Sequence, residues 1–234
     1  MKRFWKNVAI VAEGDGWGVA LDGRPVRTPA RVPLAAPTRA LGDAIAEEWR
    51  GAAETVDPRA MPLTGLLNAA IDRIAPDAQA FAAGLAAYGE NDLLYYRAQE
   101  PPPLVDRQRA AWDPMLAWAR GRYDVHFETI VGVMPRAQPE RTIARLADAI
   151  AARTAYQLAC LSPIVTVTGS LVLALALIEG AADAATVWRA ARIDDDWQEE
   201  QWGADPLAVE AAEARRADFD SGVRFLALVG GAGS

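Results

Sequence analysis

The sequence predicts an α+β protein, with a small N-terminal antiparallel β domain followed by a larger all-helical C-terminal domain. Three observations predict it. Alternating apolar residues with hairpin-turn signals are confined to residues 4–34. From Ala36 onward the apolar period changes from two to three and four. Alanine, the strongest helix former, is abundant throughout that second part. Strands first and helices afterwards is the segregated order of the α+β class.

In the β part, Val8 and Ile10 alternate before "EGDG" turns the chain. Trp17, Val19 and Leu21 alternate next, and Asp22–Gly23 is a strong hairpin signal. Val26 and Thr28 continue until Pro29 stops the run. The glycines of "GDGWG" lie between two strands with no helix after them, so they read as a turn and not as a dinucleotide loop.

The helical part opens with Thr38 as an N-cap and with Leu41, Ile45 and Trp49 on one stripe. A proline-marked connector, "VDPRAMPLTG", leads to a second stripe of Leu63, Leu67, Ala70 and Ile74. These marks divide the chain into a β-rich domain over 1–60 with one helix at its end, a helical domain over 61–228, and a disordered tail over 229–234. Within the helical domain, Pro101–Pro103 read as an irregular loop. A helix carrying Trp112, Met115 and Trp118 follows, and Pro114 kinks or restarts it. "QPERTIARLADAIAARTAYQLACL" reads as a single amphipathic helix with Ile143, Leu146, Ala147, Ile150, Thr154 and Leu158 on one stripe. Pro163–Ile178 is apolar but short for a membrane span, so it reads as a buried core helix ended by Gly180. "AADAATVWRAARIDDDWQEEQWG" reads as one further helix closed by Gly203, and a last helix follows it.

A chain of 234 residues buries enough surface to need no staples. Hydrophobic residues at 52% and charged residues at 24% are ordinary for a soluble globular protein. A net charge of −7 argues against a nucleic-acid partner, which needs a basic footprint. The single cysteine, Cys160, permits no internal disulfide and suits a reducing compartment. No targeting segment is visible, so the expectation is a cytoplasmic protein without membrane insertion.

Catalytic motifs are hard to find. There is no phosphate-binding P-loop and no nucleophile elbow. His126 is the one histidine, and one histidine with one cysteine makes a poor zinc site. The acids Asp194, Asp195 and Asp196 are consecutive, and consecutive helix residues point about 100° apart, so they do not converge on one cation. The expectation is no catalytic residue, no metal, no cofactor and no small-molecule substrate. An enzyme using carboxylates and His126 remains the alternative.

The stretch "DDDWQEEQWG", Asp194 to Gly203, is unlike core and unlike an ordinary solvated face. Backward from Trp202, one helical stripe would read Trp202, Gln198, Asp195, Ala191, Trp188, Ala184. Its first half is apolar and its second half polar. Trp197 and Trp202 would point about 140° apart, so both cannot sit in one narrow stripe. Two readings stay open at this point. The acids are solvated and one indole packs under a loop, or the segment is a partner surface with tryptophan as anchor and charge at its rim.

The same stretch resembles the acidic-aromatic-Gln-x-x-x-Trp-Gly signature of the F₁-ATPase assembly chaperones specific for the alpha subunit. "KRFWKNVAI", "VALDGRPVRTPA", "AIAEEW", "MPLTGLLNAAID", "DLLYYRA" and "WDPMLAWA" are similar to that family's pattern in the same order, over roughly Lys2 to Phe225. Some relatives carry a histidine-acid pair after the Trp-Gly. Here the segment reads "ADPLAVEAAE", and no role is carried over to it. The resemblance implies a non-enzymatic chaperone of the free alpha subunit that yields to the beta subunit. It also implies that Asp194, Asp195, Asp196, Trp197, Gln198 and Trp202 belong to the partner-binding segment, with Trp49 a structural anchor. A subunit that stays in the finished complex is the further alternative.

Overall fold

The computed structural model describes residues 2–132, 136–203 and 205–230. It has the predicted class: a small antiparallel sheet near the N-terminus and a larger helical part after it. The described residues form two compact units. One holds the chain up to Ala78 with Thr154–Leu161 and the stretch from Asp220, and the other holds Gln79–Arg153 and Ser162–Phe219. The expected tail at 229–234 lies, from residue 231 on, outside the described residues. Among the described residues, no helix is long and apolar enough to cross a membrane.

In the first unit, β1 (Val8–Glu13) pairs antiparallel with β2 (Gly16–Leu21), and β2 pairs with β3 (Arg24–Pro25) and with β4 (Ala35–Ala36). The turn from β2 to β3 has Asp22 at φ 47° and Gly23 at φ 81°, the two positive φ angles of a type I′ hairpin. The Asp22 carboxylate also accepts from the amides of Lys6 and Asn7. Helix α1 (Arg39–Gly51) lies close against β2, where a Cβ on Gly42 would stand 3.0 Å from the Trp17 Cβ. Thr38 caps α1 by accepting from the Leu41 amide and donates to the Leu228 carbonyl. Leu41, Ile45 and Trp49 are buried together, as their spacing predicts.

Helix α2 (Pro62–Ala69) starts on a proline at its first position and is capped from a distance. The Glu48 carboxylate accepts from the amides of Leu63 and Thr64, both at 2.8 Å, and from the Thr64 hydroxyl at 2.7 Å. An anion there meets the positive end of the helix. A π turn at Ala70–Ile74 continues α2, and Leu63, Leu67, Ala70 and Ile74 are all buried. Asp72 on that turn accepts from the Ala30 amide at 2.9 Å.

The second unit departs from prediction at several places. Residues after 36 are not helical only: β5 (Tyr96–Arg97) pairs parallel with β6 (Ile130–Val131). After helix α3 (Ala78–Ala86), the three prolines open a helix instead of forming a loop. Pro101 is its N-cap and α4 (Pro102–Tyr123) runs continuously through Pro114. Its indole at Trp112 is fully buried and donates to the Ala190 carbonyl at 2.7 Å.

The long amphipathic stretch is two helices, α5 (Glu140–Ala151) and α6 (Ala155–Thr168). The break is a capping box. The Thr154 hydroxyl accepts from the Gln157 amide, and the Gln157 side chain accepts from the Thr154 amide. The apolar run 163–178 is divided as well. Gly169 takes φ 65°, and Ser170 caps α7 (Leu171–Ile178) by accepting from the Leu173 amide. Every residue of α7 is buried.

The start of α7 holds Asp92, a buried carboxylate that accepts from the amides of Val172 at 2.9 Å and Leu94 at 3.0 Å. Burial pushes its pKa up to about 6, against the pull of those amides and of Ser170. The folded state therefore holds this proton more tightly than the unfolded chain. That contribution to stability is fully present below the unfolded value near 4 and is lost as pH rises through 6. Between pH 4 and pH 7 the unfolding free energy of wild type is expected to fall by about 2–3 kcal/mol relative to Asp92→Asn, which cannot ionise. Urea unfolding of both proteins at each pH measures it, and a constant difference across that window refutes the assignment.

Candidate functional site

The segment from Ala184 to Trp202 is not the single helix its spacing predicts. Helix α8 (Ala184–Ala191) is capped by Asp183, which accepts from the Thr186 amide at 2.7 Å. The chain turns at Arg192, whose amide donates to the Arg189 carbonyl, and α9 (Ile193–Trp202) begins there. The break interrupts the stripe from Ala184 to Trp202. On α8 the buried residues are Val187 and Ala190, while Trp188 is half-buried against Phe219.

Arg192 organises α9. Its side chain is only 11% exposed and reaches Asp196 at 2.9 Å, Asp195 at 3.3 Å and Glu199 at 2.8 Å. Three acids in the first turn also suit the positive end of the helix. These interactions divide the six sequence-predicted residues into two groups.

Asp194, Asp196 and Trp197 are engaged with the protein itself. Asp194 accepts from the buried Gln108 amide at 2.7 Å, and burial raises its pKa. Asp196 is bound by Arg192. The Trp197 ring lies 4.9 Å from the Arg107 guanidinium, which also pairs with Glu200 at 2.8 Å. Asp195, Gln198 and Trp202 line a surface cleft of about 250 Å³ with Glu199, Gly203, Asp205, Ala208 and Arg215, where Asp195 also pairs with Arg192 and Arg215. Trp202 is 77% exposed. Leu207 and Val209, on helix α10 (Pro206–Leu228), are also exposed, so this end of the unit presents apolar side chains to solvent.

Sequence reasoning missed Arg192, Gln108, Arg215 and the two aliphatic residues on α10. Arg192 was within reach, because acids three and four positions after it sit on its helical face. Gln108 and Arg215 come from chain more distant in sequence, while Leu207 and Val209 follow closely after Trp202.

His126 lies at the surface. Its side chain is 71% exposed, with Nε2 3.4 Å from Glu128, and its backbone is held by both bonds of the Thr142 hydroxyl. His126→Ala is expected to change stability by less than about 0.5 kcal/mol, which melting curves of the two proteins check. Cys160 is buried, and burial pushes its thiol up to about 12, which makes it a packing residue and not a nucleophile. Among the described residues, no group of three or more His, Cys, Asp or Glu side chains could hold a metal ion.

Comparison with known proteins places this architecture among described ones. A family model described as ATP12 chaperone protein matches residues 2–120. The protein atp12, mitochondrial, of Schizosaccharomyces pombe is 22% identical over 214 residues, covering 86% of this chain and 74% of that protein. The crystal structure of Atp12 from Paracoccus denitrificans is 43% identical with a TM-score of 0.92, covering 97% of this chain and 98% of that one. The Atu1473 protein of Agrobacterium tumefaciens is 42% identical with a TM-score of 0.90, covering 97% of this chain and 85% of that one.

Proposed function

The chain belongs to the ATP12 chaperone protein family, and we propose that it is an ATP synthase assembly chaperone that binds the free F₁ alpha subunit until the beta subunit replaces it. The observation that carries the reading is the cleft at the end of α9, which Asp195, Gln198 and the exposed Trp202 line together. An exposed indole suits an interface anchor, and acids beside it suit orientation and speed of association. With a net charge of −7, the chaperone steers toward basic surface on its client. The cleft is small and partly polar, which suits an interface that must release its client. Release then comes by competition for the alpha subunit, with no chemistry on the chaperone, and the work is done in the cytoplasm.

Capture by the immobilised protein of separately purified alpha and beta subunits tests this. The expected result is retention of alpha, not of beta, and release of alpha when beta is added. The protein is also expected to be absent from finished ATP synthase. Retention of beta alone overturns the proposal, and a stoichiometric place in the finished enzyme would make it a structural subunit.

A further inference from the structure

A second candidate site lies in the second unit, between α4 and the β5–β6 pair. It is a groove of about 470 Å³ with Arg97, Arg109 and Arg120 on its walls and Asp113 as its one carboxylate. Val105, Ala117 and Val131 supply apolar surface, and Val131 is exposed. The helix side follows from spacing: Val105, Arg109, Asp113, Ala117 and Arg120 fall three or four apart, on one stripe of α4. An acidic protein thus collects three guanidinium groups in one concavity.

Their partners are few. Arg97 donates from Nε to the Leu94 carbonyl and lies 5.2 Å from the Trp112 ring. Its Nη2 forms an ion pair with an Asp113 oxygen at 2.8 Å. Burial pulls the Arg97 guanidinium below its ordinary value, Asp113 supports it, and Arg120 and Arg109 push it down again. Arg120 lies 5.8 Å from the Phe127 ring. Among the described residues, neither Arg109 nor Arg120 forms an ion pair with a carboxylate. Three guanidinium groups with one carboxylate beside them leave excess positive charge in the groove, which an arriving anion offsets.

We propose that this groove binds an acidic segment of a protein partner, with Asp or Glu carboxylates on Arg97, Arg109 and Arg120 and aliphatic side chains against Val105 and Val131. A guanidinium fork matches a carboxylate with two parallel hydrogen bonds. The apolar lining and the short strands beside it favour an extended peptide over a small free anion. The site is separate from the cleft at the end of α9, although Gln108, which lines the groove, donates to Asp194 of that helix.

Titration of the whole protein with hexaglutamate, with inorganic phosphate as the small-anion arm, tests this without any client. Backbone amide signals of Arg97, Thr129 and Val131 are expected to shift with hexaglutamate. The double variant Arg109→Gln, Arg120→Gln should bind it at least tenfold more weakly and melt no lower than wild type, because a repulsion has been removed. The proposal is overturned by no shift at those amides, by equal binding by the double variant, or by displacement of hexaglutamate by phosphate at matched charge. A lower melting temperature of the double variant also overturns it, since the arginines would then be scaffold. Because no alpha subunit is present, the outcome is independent of the proposed function.

Discussion

Trp49→Arg is expected to leave most of the protein unfolded at 37 °C. Trp49 is 8% exposed and packs on the Trp5 ring at 5.2 Å, and its carbonyl accepts from the Trp5 indole at 3.2 Å. Truncating a buried tryptophan costs about 3–5 kcal/mol, and burying a charge without a partner costs several more. The new guanidinium would also lie near Arg3, which donates to the carbonyls of Arg50 and Ala52. A whole domain has only about 5–15 kcal/mol to lose. Trp49→Phe separates the causes. It keeps an aromatic ring, though a smaller one, and removes the Trp49 indole nitrogen, which is buried without a hydrogen-bond partner. It should therefore cost far less, about 1–2 kcal/mol. Melting curves of the two variants decide it, and an arginine variant melting within a degree or two of wild type would refute the buried assignment.

What was legible in the sequence is what depends on neighbours along the chain. Asp22–Gly23 needs only its own backbone angles to be a hairpin turn, and Thr38 needs only the amide three residues on. The stripes of α1 and α2 are periodic signals of the same local kind. The missed breaks at Thr154 and Gly169 were also local, since a threonine three before a glutamine and a glycine before a serine both stand in the sequence. They were hidden because apolar periodicity runs across them. The β5–β6 pair joins residues 34 apart in the chain with two residues on each strand, too short to leave an alternation.

Three of the motifs that carried the family resemblance turn out to be joints of the scaffold. "AIAEEW" supplies Glu48, which caps α2, and "MPLT" supplies the amides and hydroxyl it accepts from. "LDGRPVRTPA" reaches "NAAID" through the bond from the Ala30 amide to Asp72. These contacts identify the fold and leave the client surface open. The candidate site was legible only as a segment. Which of its acids face solvent is decided by Arg192 and Gln108, one adjacent to the acids and one on α4.

Trp202→Ala is expected to weaken alpha-subunit capture by about 2 kcal/mol or more, roughly thirtyfold, while leaving the melting temperature unchanged. The side chain is too exposed to support its own core, so its apolar surface is available to a client. Asp195→Lys acts differently. It removes a carboxylate that lies 3.6 Å from Arg215 and 3.3 Å from Arg192 in partly exposed pairs. Losing such pairs costs under about 1 kcal/mol of stability. At the rim of an interface the reversal slows association and changes its salt dependence more than it changes dissociation. Gln198→Ala should fall between the two. Arg192→Met is the contrasting variant, because it releases three carboxylates at once and should lower stability first. Capture per folded molecule, measured beside melting temperature for all four, distinguishes a client surface from scaffold. Should Asp195→Lys, Gln198→Ala and Trp202→Ala lose capture only in proportion to lost stability, the end of α9 supports the fold and the client binds elsewhere.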